Sequence, residues 1–390
     1  MHALSGSASA TPQKTRRIRI VFFAMAIACV AILLGYKARA YLQAYAILSE
    51  LNGQPVPHIL RPIAAIPVTT RTFTIPSSAG PVSARLYTSH GHPGVPGLVV
   101  VPGIHYQGMN EPRLMAFARA LASCGLRVLT PELPDSRDYQ IQPSDAQAIG
   151  DSVQWLRHAT GRRVGLMGLG FSGGLALMAA SELPYSKDVS FVFSVGAHDD
   201  LFRVASFYTN HADPLPNGDV EHAIPNDYGP MVMEYEHLED FTLPADTDTI
   251  RPVFRARLYE NYTLEKQLLA KLTDAQKAEY AHIVDTPHQD WALSASNNKH
   301  AAEMSAVSPR GHLAGLHVPV YVLHGRGDTL IPFAEAEWLA QDLPHGTLAD
   351  LVISPLLGHV NITEKTPDLW DRWQLLHLLA QVMERAEHTS

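Results

Sequence analysis

From Leu98 onward the chain alternates short, mostly apolar runs with helical patterns, and nothing else in its 390 residues restricts the possible folds so strongly. The runs at 98–101, 127–130, 164–168, 191–195, 320–324 and 348–353 are too short for helices. They are also too continuously apolar for strands with one wet face, and so predict a parallel sheet covered on both sides. Helices are expected between them at 112–123, 144–158, 173–182 and 333–342, with a last one at 367–385. Ser144, with Gln147 three residues on, predicts a capping box at the start of the second. Ahead of this pattern, 71–75 and 82–87 alternate across a Pro/Ser/Gly stretch, which predicts an antiparallel hairpin. The expected fold class is therefore α/β, a mostly parallel central sheet flanked by helices.

One long interval breaks the rhythm. Residues 199–316 are rich in Tyr, His, Asp and Pro, with helical patterns at 264–272 and 275–283 and no convincing strand. So long a stretch is not expected to lack structure inside a compact domain, and it predicts a mostly helical cap inserted between two core strands. A cap there would stand over the carboxyl edge of the sheet, where open α/β sheets place ligands. The chain then divides into a basic segment (1–19), an apolar run (20–36), a helical extension with a Pro-rich linker (37–68), the first part of the core (69–198), the cap (199–316) and the second part of the core (317–386).

The apolar run carries no charge over 17 residues and is flanked by Lys14, Arg16, Arg17 and Arg19 before it and by Lys37 and Arg39 after it. Its length is at the short end of what crosses a bilayer as a helix, and the heavier positive charge on its N-terminal side predicts an N-terminal transmembrane helix with the rest of the chain outside the cytoplasm. Ala38-Arg39-Ala40 also has the small-x-small form of a signal-peptidase site, which would release a secreted protein by cleavage after Ala40. The two basic residues around it and the helical pattern running on to Leu48 favour the uncleaved anchor. A net charge of −8 argues against nucleic acid as a partner. The two cysteines, Cys29 and Cys124, build no disulfide framework, and the twenty histidines form no metal-binding spacing. No cofactor or metal is implied.

Chemistry concentrates where the third run of the sheet gives way to a helix. Gly170-Phe171-Ser172-Gly173-Gly174 fits G-x-S-x-G, a pattern whose serine hydroxyl is raised above the sheet when it sits on a tight strand-to-helix turn. In this frame Ser172 is the nucleophile and the Gly173 N–H, at the helix start, binds an oxyanion. A serine needs a base, and the base an orienting acid, both from loops after later strands. Asp328 follows the run at 320–324 on the glycine-framed loop Gly325-Arg326-Gly327-Asp328, and His359 follows the run at 348–353. Asp199 and Asp200 are rival acids, placed after the run ending at Val195; His345 and His377 are rival bases with less suitable positions. A second oxyanion donor is expected from the loop after Val101, with the Ile104 N–H as candidate, and His105, Tyr106 and Phe171 as substrate contacts.

The elbow GFSGG, the acid loop HGRGD and the histidine loop LLGHV resemble those of the α/β-hydrolase superfamily over about residues 71–385. The resemblance is greatest to capped bacterial esterases and to the dienelactone-hydrolase-like and serine-peptidase-like branches. It implies attack by Ser172 on a carbonyl carbon, proton transfer to His359, and hydrolysis of the acyl-enzyme by water. The oxyanion loop departs from the common His-Gly pair, reading Pro102-Gly103. The expected activity is a serine carboxylesterase acting on a small-molecule ester. A peptidase or amidase on the same triad, or an idle hydrolase fold serving as a binding module, are the alternatives.

Overall fold

The computed structural model describes residues 35, 37–89, 95–285, 291–358 and 368–388. Its main sheet has eight strands: β1 (Val68–Ile75), β2 (Val82–Ser89), β3 (Gly97–Val101), β4 (Arg127–Pro131), β5 (Val164–Leu169), β6 (Val189–Val195), and, after a small hairpin of β7 (Ala212–Pro214) and β8 (Val220–His222), β9 (Val320–Gly325) and β10 (Leu348–Ser354). Their order in the sheet is β1-β2-β4-β3-β5-β6-β9-β10. β2 runs antiparallel to both its neighbours, and every later pairing is parallel.

The helices follow in chain order as α1 (37–51), α2 (Arg61–Ala64), α3 (Pro112–Ser123), α4 (Pro134–Arg137), α5 (Pro143–Thr160), α6 (Phe171–Ser181), α7 (Leu201–Asn210), α8 (Tyr228–Glu236), α9 (Thr247–Leu258), α10 (Tyr262–Leu269), α11 (Asp274–Asp285), α12 (Trp291–Lys299), α13 (Ala301–Ala306), α14 (Ala334–Asp342) and α15 (Leu369–Glu387). Side chains of β3 alternate between two cores. Val99 and Val101 pack with Ile149, Val153 and Leu156 of α5 and Leu175 of α6, whereas Leu98 and Val100 pack with Leu121 of α3 and Leu378 and Val382 of α15. A strand sandwiched in this way must be apolar at every position, which is why the parallel strands read as continuous runs.

Helix ends show where local chemistry acts. Glu111 caps α3 by accepting the Leu114 N–H, and Pro112 occupies the first helical position, where its missing N–H is harmless. α5 starts one residue earlier than expected, with Gln142 at its cap position. The capping box of Ser144 and Gln147 is not formed. Ser144 lies inside the helix and donates to Asp135 instead, because Pro143 already supplies the helical start. The helix closes on Gly161 at φ 70°, the left-handed C-terminal position that glycine fills without strain.

Two further expectations need correction. The proline-bearing stretch before β1 is not a free linker: residues His58–Leu60 and α2 form helical turns that bury Leu60 and Ala64. Pro62 is tolerated because it sits in the first turn. The cap contains the β7–β8 hairpin as well as helices, since three-residue strands leave no alternation to detect. Among the described residues the cap is otherwise helical, and Tyr235, Ile250 and Phe254 join the core that reaches down to the sheet.

α1 also packs on this core. Ala40, Ala44 and Ile47 are buried with α3 and α15, and Gln43 donates to the Cys124 carbonyl. The apolar run 20–36 lies outside the described residues apart from Gly35, and no described helix is long and apolar enough to cross a membrane.

Candidate active site

β5 ends at Leu169 and α6 begins at Phe171, so Gly170 alone makes the turn between them. Its φ of 58° and ψ of −137° are costly for any residue with a side chain. The turn is locked by the Gly170 N–H donating to Val195 O and the Gly170 carbonyl accepting the Gly173 N–H, both at 2.8 Å. Strand and helix are pressed together around it. A Cβ at Gly168 would stand 2.4 Å from the Ser172 carbonyl, and one at Gly173 only 2.7 Å from the Ala197 methyl.

These facts move the elbow by two residues. Ser172 is the second residue of α6, fully buried, and its Oγ has no hydrogen-bond partner. It does not line the cleft described below, so the structure does not bring it to the position of a nucleophile. Gly173 is likewise displaced as an oxyanion donor, because its N–H is already given to Gly170. The Phe171 N–H is the first amide of α6, and among the described residues no hydrogen bond engages it.

A cleft of about 700 Å³ opens above Gly170. Gly103, Ile104 and His105 line one side, Gly170 and Phe171 the floor, and Asp328, Leu357 and Gly358 the other. The cap closes over it with Tyr228, Val232 and Glu260. The sheet order, the reversed second strand and the one-residue turn at the carboxyl edge of β5 together decide the architecture. This is the α/β-hydrolase fold.

No family model matches the chain. An esterase from Pyrobaculum calidifontis aligns over 87% of this chain and 90% of its own, at 16% identity and a TM-score of 0.44. An acylaminoacyl peptidase from Pyrococcus horikoshii aligns over 83% and 42%, at 13% identity and a TM-score of 0.44. A pimeloyl-[acyl-carrier protein] methyl ester esterase from Aromatoleum aromaticum is 45% identical over 53 residues, 13% of this chain. The chain spans about a fifth of the length of that curated relative, 21%.

In an α/β-hydrolase the apex of this turn presents the nucleophile. Here the apex is glycine. The remaining expected groups fall as follows. Asp328, just past β9, lines the cleft and accepts the N–H groups of Leu330 (2.9 Å) and Ile331 (3.0 Å) with Oδ1, while Oδ2 lies 3.7 Å from His324 Nε2. The rivals lie elsewhere. Asp199 pairs with Arg203 beside buried Glu335, and Asp200 caps α7. His377 bonds Tyr41. His359 lies outside the described residues; its neighbour Gly358 lines the cleft.

Among the described residues no hydrogen bond engages the Ile104 N–H, and Ile104 lines the cleft, as Phe171 does. The loop carrying it is held by Gly108, whose φ is +48° and where a Cβ would strike Glu132 Oε1 at 2.0 Å. Glu132 in turn accepts the Met109 N–H, and burial raises its pKa above the ordinary glutamate range. His105 lines the cleft with its pKa lowered by burial, which favours the neutral ring. Tyr106 does not line it. Its ring stacks on Tyr259 and its hydroxyl donates to Glu260, so it ties the loop to the cap rather than touching a ligand.

Glu260 is the residue that sequence reasoning missed. It lines the cleft, and its φ of 54° closes α9 in a left-handed C-terminal turn in which the Glu260 N–H donates to the Arg257 carbonyl and the Asn261 N–H to the Ala256 carbonyl. No pattern in the sequence marks it. Outside the cleft, His237, His300 and Glu303 gather in the cap. The two imidazoles are stacked 3.5 Å apart and nearly parallel, and lone pairs in parallel planes do not converge on one ion. Asp240 already bonds His300 Nε2, so the residues do not fit a metal.

Proposed function

We propose that the chain is an extracytoplasmic, membrane-anchored hydrolase of carboxylic esters whose reaction does not pass through an acyl-serine at Ser172. The observation that carries this reading is Gly170 at the apex of the turn, in a cleft that retains two free amides and a carboxylate. The N–H groups of Phe171 and Ile104 would bind the carbonyl oxygen, a pair of donors suited to developing negative charge. With no side chain at the apex, the attacking group would be water. His359 would take the water proton as its oxygen bonds to the carbonyl carbon, and Asp328 would hold the imidazolium. Collapse of the tetrahedral adduct breaks the bond to the alcohol, which leaves with the proton from His359.

The esterases and peptidase that the chain resembles suggest esters or amides as ligands, and the uncharged Gly170 and Phe171 that line the cleft suit a small acyl group. The expected rate is modest. Hydrolases stripped of a triad member keep roughly 10³–10⁴-fold acceleration over water from binding and the oxyanion donors. The same glycine favours a second reading, an ester-binding module with no turnover.

Labelling with a fluorophosphonate separates these ideas when combined with a p-nitrophenyl ester assay on the full chain. No label with slow turnover, abolished by substitution of His359, supports hydrolysis by water. Saturable binding without turnover supports the binding module. A label located on Ser172 overturns both.

A further inference from the structure

Where α1 crosses the start of α15, the domain presents an aromatic face that nothing in the described residues covers. Trp373 stacks on Tyr41 at 5.5 Å and on His377 at 5.8 Å, with the rings within 13° of parallel. Around this stack Leu369 is 80% exposed, Trp370 61%, Tyr45 49% and Leu42 42%. These exposed apolar side chains lie on the two helices that carry the stack, the kind of grouping that marks an interaction surface. The rings are held by α1 and α15, so the patch is a shaped surface rather than a set of loose side chains.

Its position says what covers it. α1 begins at residue 37, directly after the uncharged run that ends at Tyr36. Tyr41 is five residues past the end of that run, about 7 Å along a helix. Trp and Tyr concentrate at that depth on either side of a bilayer, where the ring meets the acyl region and the polar edge meets water. Arg39 pairs with Glu387, and the charges of Lys37 and Arg372 are matched in number by Asp368 and Asp371, so the face has no strong net charge.

We propose that Tyr41, Leu42, Tyr45, Leu369, Trp370 and Trp373 form a lipid-contacting face that seats the domain on the outer surface of the membrane. The inference rests on the reading of 20–36 as an anchor. It adds a second, peripheral contact that orients the domain instead of leaving it on a free tether. Because the face is aromatic and not cationic, it requires no anionic lipid.

The test uses the full chain in vesicles of phosphatidylcholine brominated near the headgroup end of the acyl chains. Bromine quenches only tryptophans in contact with lipid. Trp155 packs on Phe73, Trp338 donates to the Pro214 carbonyl and Trp291 opens α12 of the cap, so the three belong to other elements and serve as internal references. The wild type is expected to be quenched, and most of the quenching is expected to vanish in the W370F/W373F variant while both proteins still float with the vesicles. W370F alone, at an exposed position, keeps the experiment readable if the double variant fails to fold. Equal quenching in wild type and variant overturns the proposal, as does absence of quenching in a chain that floats. If the face instead joins two copies, quenching is absent and the variant loses a dimer seen in detergent, which also overturns it. Failure of the full chain to float removes the anchor itself, an outcome distinct from the others.

Discussion

Gly170→Ser is the substitution that most directly tests the shifted elbow. Adding a side chain at φ 58° and ψ −137° carries a strain cost of about 1–3 kcal/mol. For a chain of this size, with an unfolding entropy near 2 cal/mol/K per residue, that corresponds to a fall in Tm of about 1–4 °C. Gly170→Ala should show the same fall, since the strain belongs to the backbone and not to the hydroxyl. Only the serine variant should become reactive. Its Oγ would stand in the cleft beside the free Phe171 and Ile104 amides, and a fluorophosphonate should label it at position 170 where the wild type stays unlabelled. Ester turnover should rise by roughly 10²-fold or more, because a positioned hydroxyl replaces an untethered water. Peptide mapping of the labelled protein locates the adduct. A wild type labelled at Ser172, or a folded serine variant with no label and no gain in rate, would refute the placement of the apex.

Other consequences are read from single variants. Ser172→Ala removes a buried hydroxyl without a partner; activity should be unchanged, and stability should hold or rise by up to about 1 kcal/mol, read by denaturant titration. Asp328→Asn keeps an oxygen for the Leu330 and Ile331 amides and should fold, yet lose about 10²-fold or more in turnover. Asp328→Ala leaves both amides unpaired and should cost about 2 kcal/mol or more, measured in the same way. Asp145 is buried against Ser136, and burial raises its pKa to about 7. A raised folded-state pKa gives stability that is present below about pH 4 and lost as pH rises through 7, a change of roughly 4 kcal/mol at most. Asp145→Asn should therefore flatten the fall in Tm between pH 5 and pH 8; an unaltered pH profile would show that Asp145 is ionised throughout.

The parallel strands were legible because their burial on both faces leaves a continuous apolar run, and each predicted run overlaps its strand to within two residues at either end. Pro112–Ser123 was legible for a different reason, since proline at its start and Cys124-Gly125 at its end are both local signals. Packing against distant elements was not legible. Nothing near Ala40 or Ile47 indicates that α1 is clamped between α3 and α15, and nothing near Tyr106 indicates that its hydroxyl faces Glu260 from the cap. Cleavage after Ala40 would cut inside this clamped helix and remove Arg39, which pairs with Glu387. The docked helix thus adds a structural argument against cleavage after Ala40, and mass spectrometry of the purified protein should find residues 1–40 in place.

The elbow shows why a motif can be present and still be misplaced. By residue type the pattern fits only 170–174, with Ser172 at its centre, whereas the backbone turn is centred on Gly170. The deciding property is which residue stands alone between strand and helix with positive φ. β5 runs one residue beyond its expected end, to Leu169, and α6 starts two before its expected beginning, at Phe171. Those small shifts transfer the apex from a serine to a glycine. They also explain the glycine crowding without a catalytic serine: Gly168 and Gly173 let the helix touch the strand, Gly174 clears the His198 ring, and Gly170 takes the forbidden angles. On the proposed reading, the turn and its amides would hold a carbonyl, and the glycine at the apex leaves no side chain at that position to be acylated.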